Sequence, residues 1–365
     1  MQLEFFPSPK LTGYLARLFA TRILAVLIML VMVLQILDLL GQSGDILAYP
    51  GNGEAQLFTY VLLRVPQLIA RFLPYSVLLA TIITLATLNQ NSEVVAMKAS
   101  GLSAHQVLAP LILTASVIAV LSFAFNERVV TRATATLDAW EKVDFGPVPK
   151  DSGVRSNLYL TDGADILLAG TVTGEGGAMM MDNVTFYRRD AAGMIVSQIR
   201  SRRATYANPG WKLDQGTMFT VDGTKAQPIG PVVVAKGVTP DKITISSVDA
   251  DAENIFQLAQ SIEALKIAGR RTSELEAAWW HKLSGPLSSM LMPLLGAVAA
   301  FGLARSGQLL LRAIIGMSLG FAYFVIDNAA LAMGNFGGYT PMIAAWAPFL
   351  LFALIGETVL IRTEE

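Results

Sequence analysis

Stretches without a single charged residue are what most constrain this chain. Ile23–Leu37 lies uncharged between Arg22 and Asp38, Phe72–Ser92 and Gln106–Asn126 each run 21 residues, Leu283–Ala304 runs 22 and Asn328–Gly356 runs 29. Leu309–Ile326 is interrupted only by Arg312. A helix needs about 20 mostly apolar residues to cross a bilayer, and a charge at mid-membrane costs roughly 2.5–3.5 kcal/mol on insertion scales. The pattern predicts six transmembrane helices near 18–40, 66–88, 106–126, 283–304, 309–327 and 341–361. Pro74 and Pro348 fall inside two of them, which membrane helices tolerate. The first stretch starts late, and Asp38-Leu39-Leu40-Gly41 is unlike a small-residue cleavage site, so it is expected to persist as a signal anchor.

An even number of spans puts both termini on one side. Lys10, Arg17, Lys98, Arg305, Arg312 and Arg362 fall in short segments of that side, against Arg64 and Arg71 on the other. This excess assigns both termini to the cytoplasm. The long middle segment does not enter the count, because long loops translocate regardless of charge.

The middle, 136–256, has another texture. Charges return at Asp151, Arg155, Asp162, Asp165, Arg188, Arg189, Asp190, Arg200, Arg202 and Arg203. Short β-rich runs alternate with turn signals: Asn157–Leu160, then Asp162-Gly163 and Ile166–Leu168; Val184–Tyr187, then Asp190–Gly193 and Met194–Ile199; Ala204–Tyr206, then Asn208-Pro209-Gly210 and Trp211–Leu213; Met218–Val221, then Asp222-Gly223. This spacing predicts an all-β sandwich or barrel on the far side of the membrane from the termini. Ala252–Gly269 then reads as a helix leading back, with Leu258, Ile262, Leu265 and Ile267 on or near one face. The expected plan is residues 1–135 as three helices, 136–256 as the β domain, and 257–365 as a linker helix and three more helices.

Composition excludes several functions. Apolar residues make up 53% of the chain and charged ones 15%, against about a quarter in soluble proteins. The balance of 27 basic to 28 acidic residues removes a nucleic-acid binder driven by net charge. Without cysteine there is no disulfide scaffold, thiol nucleophile or thiolate metal site. No G-x-x-x-x-G-K-[ST], H-E-x-x-H or G-x-S-x-G segment occurs. His105 and His281 are expected as helix-end histidines at the interface, and Asp38 and Asp327 as solvated helix-end carboxylates. No catalytic residue, metal or cofactor is expected.

Two constellations remain. Asn91-Ser92-Glu93-Val94-Val95-Ala96-Met97-Lys98-Ala99-Ser100-Gly101 lies in the only sizeable cytoplasmic loop. Asn91 or Ser92 suits a helix N-cap, Glu93 its first turn, Val94 and Met97 one apolar face, and Gly101 a left-handed stop. The segment is either a docking helix for the groove of a cytoplasmic partner or an interfacial turn. Arg64, Arg71, Arg128 and Arg132 fall at the outer ends of helices two and three. They either ring an anionic lipid headgroup or snorkel and pair with Asp38, Asp45, Glu54 and Glu127. In the fourth to sixth spans, Pro286 and Pro293 predict kinks, and Gly316 with Gly320 predicts close helix packing. Met179-Met180-Met181 reads as β-domain core or loop.

The chain resembles the LptF/LptG permeases of the lipopolysaccharide exporter, on the LptG side of that family. The residues that carry the resemblance are Ser92–Gly101, Trp280-His281-Lys282-Leu283 with Pro286-Leu287, the run from Arg312 through Gly320-Phe321 to Asp327, and Thr239-Pro240-Asp241-Lys242. The resemblance implies a bundle of six transmembrane helices in the bacterial inner membrane, with a periplasmic β-jellyroll between helices three and four. It implies a non-catalytic permease subunit, paired with an LptF-type permease on an LptB-type ATPase dimer and joined by an LptC-type single-helix protein. Lipopolysaccharide would enter between the permeases from the outer leaflet and leave through the β domains. Ser92, Glu93, Val94, Met97 and Gly101 match the segment that couples to the ATPase. One departure is that Gln35–Asp45 holds no Lys or Arg where LptG proteins are lysine-rich; either the lipid has a different headgroup charge, or Arg64, Arg71, Arg128 and Arg132 substitute. The alternative function is a membrane-anchored sensor or assembly factor with a ligand-binding β domain.

Overall fold

A computed structural model describes residues 6–141, 143–146, 155–174, 176–190, 193–221, 226–240, 243, 248–267, 271–301 and 309–364. The expected turn at Asp222-Gly223, Asp241 and Lys242 of the Thr239 motif, Arg305 and the side chain of Arg312 lie outside the described residues. The chain divides into two units. One takes Met1–Gln42, Phe58–Ala133 and Ala250–Glu365; the other takes Ser43–Leu57 and Thr134–Asp249.

The first unit is helical. Helix α1 runs Pro9–Ala48, α2 Glu54–Gln90, α3 Glu93–Ala99 and α4 Ala104–Phe125. A π-helical turn at Asn126–Val130 leads into α5, Thr131–Glu141. After the sheet come α6 (Ile255–Ile267), α7 (Ser273–Phe301), α8 (Leu309–Asn335) and α9 (Pro341–Glu364). Among the described residues, five helices are long and apolar enough to cross a membrane: α1, α2, the α4–α5 run, α8 and α9. The expected fourth span falls on α7, a helix of 29 residues with Pro286 and Pro293 inside it. Several helices outrun their apolar stretches, because backbone hydrogen bonding carries a helix on past the last apolar turn wherever its polar end finds solvent or partners.

Leu15, Phe19 and Ile23 of α1, Val77 and Leu85 of α2, Leu108 and Leu111 of α4, Met292 and Leu295 of α7, Tyr323 of α8 and Phe352 of α9 form one buried cluster. Small residues let the helices approach. A Cβ at Gly296 would meet Thr81 Cγ2 at 2.7 Å, one at Gly356 would meet Leu294 Cγ at 2.7 Å, and one at Gly320 would overlap Leu78. Lipid tails are as apolar as leucine, so helix association here depends on this close packing rather than on apolar burial.

The second unit joins the end of α1 and the start of α2 to an eight-stranded antiparallel sheet. Its strands are β1 Arg155–Asp162, β2 Asp165–Thr173, β3 Met180–Arg189, β4 Ile195–Tyr206, β5 Trp211–Leu213, β6 Gly216–Thr220, β7 Gln227–Ile229 and β8 Val232–Val234. The order is β1-β2-β3-β4-β5-β8, with β6 and β7 continuing from β4. The expected separate runs Met194–Ile199 and Ala204–Tyr206 are one strand, β4. It forks the sheet: Ala204–Tyr206 pairs β5, while Ser197–Ser201 pairs β6.

The sheet also bends. Buried positions are Leu167, Ala169 and Val172 on β2, Met181, Val184 and Phe186 on β3, and Ser197, Ile199, Ser201 and Ala204 on β4. In each strand the alternation slips by one residue, at Gly170, Asn183 and Arg202, all of which drop out of the pairing register. A strand that strictly alternates sends half its side chains away from the core. The slip returns both halves to the same side. Gly170 permits it, since a Cβ there would lie 3.0 Å from Asn183 Cβ, and Asn183 takes φ 54°. Trp211 is fully buried and donates its indole N–H to Val238 O at 2.8 Å. Met179 and Met181 belong to this core.

In the same unit, Asn52 donates its amide to Ile46 O at 2.8 Å and to Phe145 O at 2.7 Å. Trp140 donates to Gly146 O at 2.7 Å and meets the Phe145 ring edge-on.

Gly210 precedes Trp211 with φ +98°, and a Cβ there would lie 2.7 Å from Val234 O. Gly210→Ala is expected to cost about 1–3 kcal/mol, the range for a side chain held in a sparsely populated backbone region. Thermal unfolding of the purified chain, followed through tryptophan signals of the sheet, checks it.

Candidate functional site

Helix α3 is bounded on both sides by backbone chemistry. Ser92 sits before it with φ 59°, ψ 14°, and its side chain makes no capping bond. The expected Ser92 cap is therefore corrected: a left-handed residue ends the link from α2 instead of capping α3. At the other end, Gly101 N donates to Lys98 O at 3.0 Å and Leu102 N to Met97 O at 3.2 Å, with Gly101 at φ +91°. This is a Schellman stop, and the expected left-handed Gly101 stands. Two residues on, Ser103 and Gln106 form a reciprocal capping box that opens α4. A fixed joint results, with α3 held between two sharply specified ends.

The faces of α3 differ from expectation. Val94 and Met97 are 7% and 8% exposed and belong to the core of the helical unit. They cannot present an apolar docking face, because the bundle already uses it. The open face carries Ser92, Val95, Ala96, Lys98 and Ala99, with Glu93 half-buried beside it and Val95 61% exposed. Glu93 Oε2 accepts from the Tyr14 hydroxyl at 3.1 Å, and Oε1 from the Asn91 amide at 3.4 Å.

The four arginines do not form one group. Arg64 is committed to Asp38, with Nε at 3.2 Å from Oδ2 and an Nη at 3.0 Å from Oδ1, and it also donates to Gln67 at 2.7 Å. Tyr60, itself 1% exposed, donates to Asp38 Oδ2 at 2.6 Å. Asp38 is thus an internal partner of α2. Arg71, Arg128 and Arg132 are exposed.

Helix α7 carries the pairs that sequence reading missed. His281 Nε2 lies 3.1 Å from Asp327 Oδ2, and Asp327 is 6% exposed. The next residue, Lys282, is buried with Nζ 3.9 Å from Glu127 Oε1 in the π-helical turn. Glu127 Oε2 accepts the backbone N–H of Ile255 at 2.6 Å, at the start of α6, and Trp279 donates its indole N–H to Ile255 O at 3.1 Å. The expectation of a solvated Asp327 is corrected, since α8 seats it against α7. His105 Nε2 lies 2.9 Å from Glu357 Oε1 on α9. A carboxylate on one apolar helix and a base on another was the available signal. At the mouth of α7, burial raises the Glu276 carboxyl, but the Thr272 hydroxyl at 2.6 Å and the Lys266 ammonium at 3.1 Å outweigh it, holding Glu276 below its ordinary range. No group of three or more metal-ligating side chains occurs among the described residues.

A polytopic helical membrane unit, a short helix clamped between two long helices, and an inserted antiparallel sheet together define a multi-pass membrane protein with an added β domain. The family described as lipopolysaccharide export system permease LptF/LptG matches residues 13–362. The chain belongs to this family. It is 26% identical to the lipopolysaccharide export system permease protein LptG of Escherichia coli K12, over 98% of this chain and 99% of that one. It is 24% identical to LptG of Haemophilus influenzae, over 86% of this chain and 87% of that one.

Asp38→Ala removes the carboxylate that accepts from the Arg64 guanidinium and the buried Tyr60 hydroxyl. It is expected to destabilise the helical unit by about 1.5–3 kcal/mol, the range for hydrogen bonds to a charged group. Adding Arg64→Ala is expected to recover part of that loss. A thermal unfolding double-mutant cycle in detergent measures it, and additive losses would contradict the pairing.

Proposed function

We propose that this chain is the LptG-type permease subunit of an ABC-type lipopolysaccharide exporter, extracting the lipid from the outer leaflet of the inner membrane and passing it to the periplasm. The observation that carries the reading is the match to the permease family along residues 13–362, on a chain with a short helix joined to two long apolar ones. In this reading α7 is the sixth span, both termini are cytoplasmic, and residues 136–256 are the periplasmic domain between 1–135 and 257–365. The β domain takes the lipid on toward the outer membrane.

The energetics require such a system. Exposing one acyl chain of a dozen methylenes costs roughly 10 kcal/mol, at about 0.8 kcal/mol each. A lipid with several chains needs a continuous apolar path and an energy source. The chain carries no nucleotide-binding loop of the Walker type. An LptB-type ATPase dimer therefore supplies the energy, an LptF-type permease the other half of the cavity, and an LptC-type protein the onward contact. The subunit itself catalyses nothing.

The ATPase grips the segment Ser92–Gly101. Glu93 and the open face through Val95, Lys98 and Ala99 make the contact, while Val94, Met97 and Gly101 seat the helix from beneath. Of the four arginines, Arg71, Arg128 and Arg132 are exposed, and we assign them to a phosphorylated headgroup; Arg64 holds Asp38.

Four measurements test the reading. Purification of the tagged chain should bring down an ATPase in fixed proportion, which a solitary sensor would not do. Glu93→Ala should lower ATPase activity of that complex about tenfold, the effect of losing one charge-assisted contact, while the sheet stays folded; normal activity would count against the coupling role. A photo-crosslinker placed along 157–221 should capture an acylated glycolipid only when ATP is supplied. Neutralising Arg71, Arg128 and Arg132 together should weaken lipid stimulation of the ATPase.

A further inference from the structure

We propose that Tyr14 is a positioning residue for Glu93, tying the start of α1 to α3 so that the two move as one piece; this rests on the coupling role proposed above for Glu93. Both oxygens of the Glu93 carboxylate are held. The Tyr14 hydroxyl donates to one at 3.1 Å and the Asn91 amide to the other at 3.4 Å. The two backbones that meet here stand on one core: Leu15 and Phe19 beside Tyr14, and Val94 and Met97 beside Glu93, share the same buried cluster. The phenol therefore bridges two fixed points rather than two mobile ones.

The consequence is twofold. A free glutamate loses rotamer freedom when a partner engages it. A glutamate already held pays less of that cost at the moment of docking, which is preorganisation. The bridge also gives α1 a direct link to whatever displaces α3. Further along, Arg22 donates to the Ile83 carbonyl of α2 at 3.1 Å, so the α1 side of the contact is tied to the α2–α3 side at more than one level.

The test uses the complete complex with its ATPase in proteoliposomes, reading lipid moved per ATP hydrolysed. Tyr14→Phe keeps the ring and removes only the hydroxyl. It is expected to lower that ratio about fivefold, what one hydrogen bond of typical net strength contributes. In the Glu93→Ala background, Tyr14→Phe is expected to add nothing, because its partner is gone. A Tyr14 that merely packs would give additive effects, and additivity overturns the inference. If Glu93→Ala lowers ATPase activity while Tyr14→Phe leaves the ratio unchanged, the bridge fails and the coupling reading survives. If Glu93→Ala is itself without effect, the coupling reading fails first.

A second readout does not depend on assembly. The chain has no cysteine, so a spin label at Lys98→Cys reports α3 alone in detergent. Tyr14→Phe should make that label more mobile; unchanged mobility would overturn the bridge.

Discussion

In an apolar surrounding, a charged or hydrogen-bonding group must find its partner inside the protein. Taking a carboxylate out of water costs several kcal/mol even after relaxation, and no lipid tail repays it. The helical unit meets this constraint with cross-helix pairs: Asp38 with Arg64 and Tyr60, His281 with Asp327, Lys282 with Glu127. Each pair fixes two helices relative to each other along their length, because a slip of one turn would leave a charge unpaired. The small residues then set how closely the paired helices lie. Gly320 against Leu78 and Gly296 against Thr81 remove the side-chain bulk that would hold α8 and α7 away from α2. Register comes from the polar groups and distance from the missing ones.

Lys282 and Glu127 show the limits of such pairing. Glu127 Oε1 is buried with no hydrogen-bond partner among the described residues, and the Lys282 ammonium is 3.9 Å away. The other oxygen is fully used by Ile255 N. The carboxylate is thus shared between a helix start, where backbone N–H groups favour negative charge, and a lysine that balances it. The π-helical turn at Asn126–Val130 carries this carboxylate between α4 and α5. Single-turn π segments are rare and recur at functional sites in long helices.

How much of this was legible in the sequence follows the physics of each feature. Apolar stretches announce themselves because length and lack of charge suffice, and the return of charges with Gly, Asp and Asn turns marks the sheet. The stop at Gly101 is legible because left-handed geometry selects glycine. The inward turn of Val94 and Met97 is not, since a seven-residue helix with two apolar positions has a face but no indication of which neighbour takes it. Asp38 and Asp327 misled for a related reason. A carboxylate near the end of an apolar stretch reads as solvated, and only the partner helix shows that Asp38 is paired and Asp327 buried. The bend of the sheet at Gly170, Asn183 and Arg202 defeats a reading by alternation, because the signal is a slip in the pattern rather than the pattern.

The polar contacts of α1 acquire a meaning from their spacing. Tyr14 and Asp38 are 24 residues apart on one continuous helix, which at 1.5 Å per residue is about 36 Å. The hydrocarbon core of a bilayer is about 30 Å thick. The two contacts therefore bracket roughly one membrane thickness, with the apolar run Ile23–Leu37 between them and Arg22 on the Ile83 carbonyl just past the first. An α-helix is stiff over this length, so a rod tied near both ends has little freedom to bend away from its neighbour. On the coupling role proposed for Glu93, a push delivered there would reach the level of Asp38 as motion of the whole rod. For the exporter subunit proposed above, α1 meets the mechanical condition of such a member with three polar contacts, the last two separated by the uncharged run Ile23–Leu37.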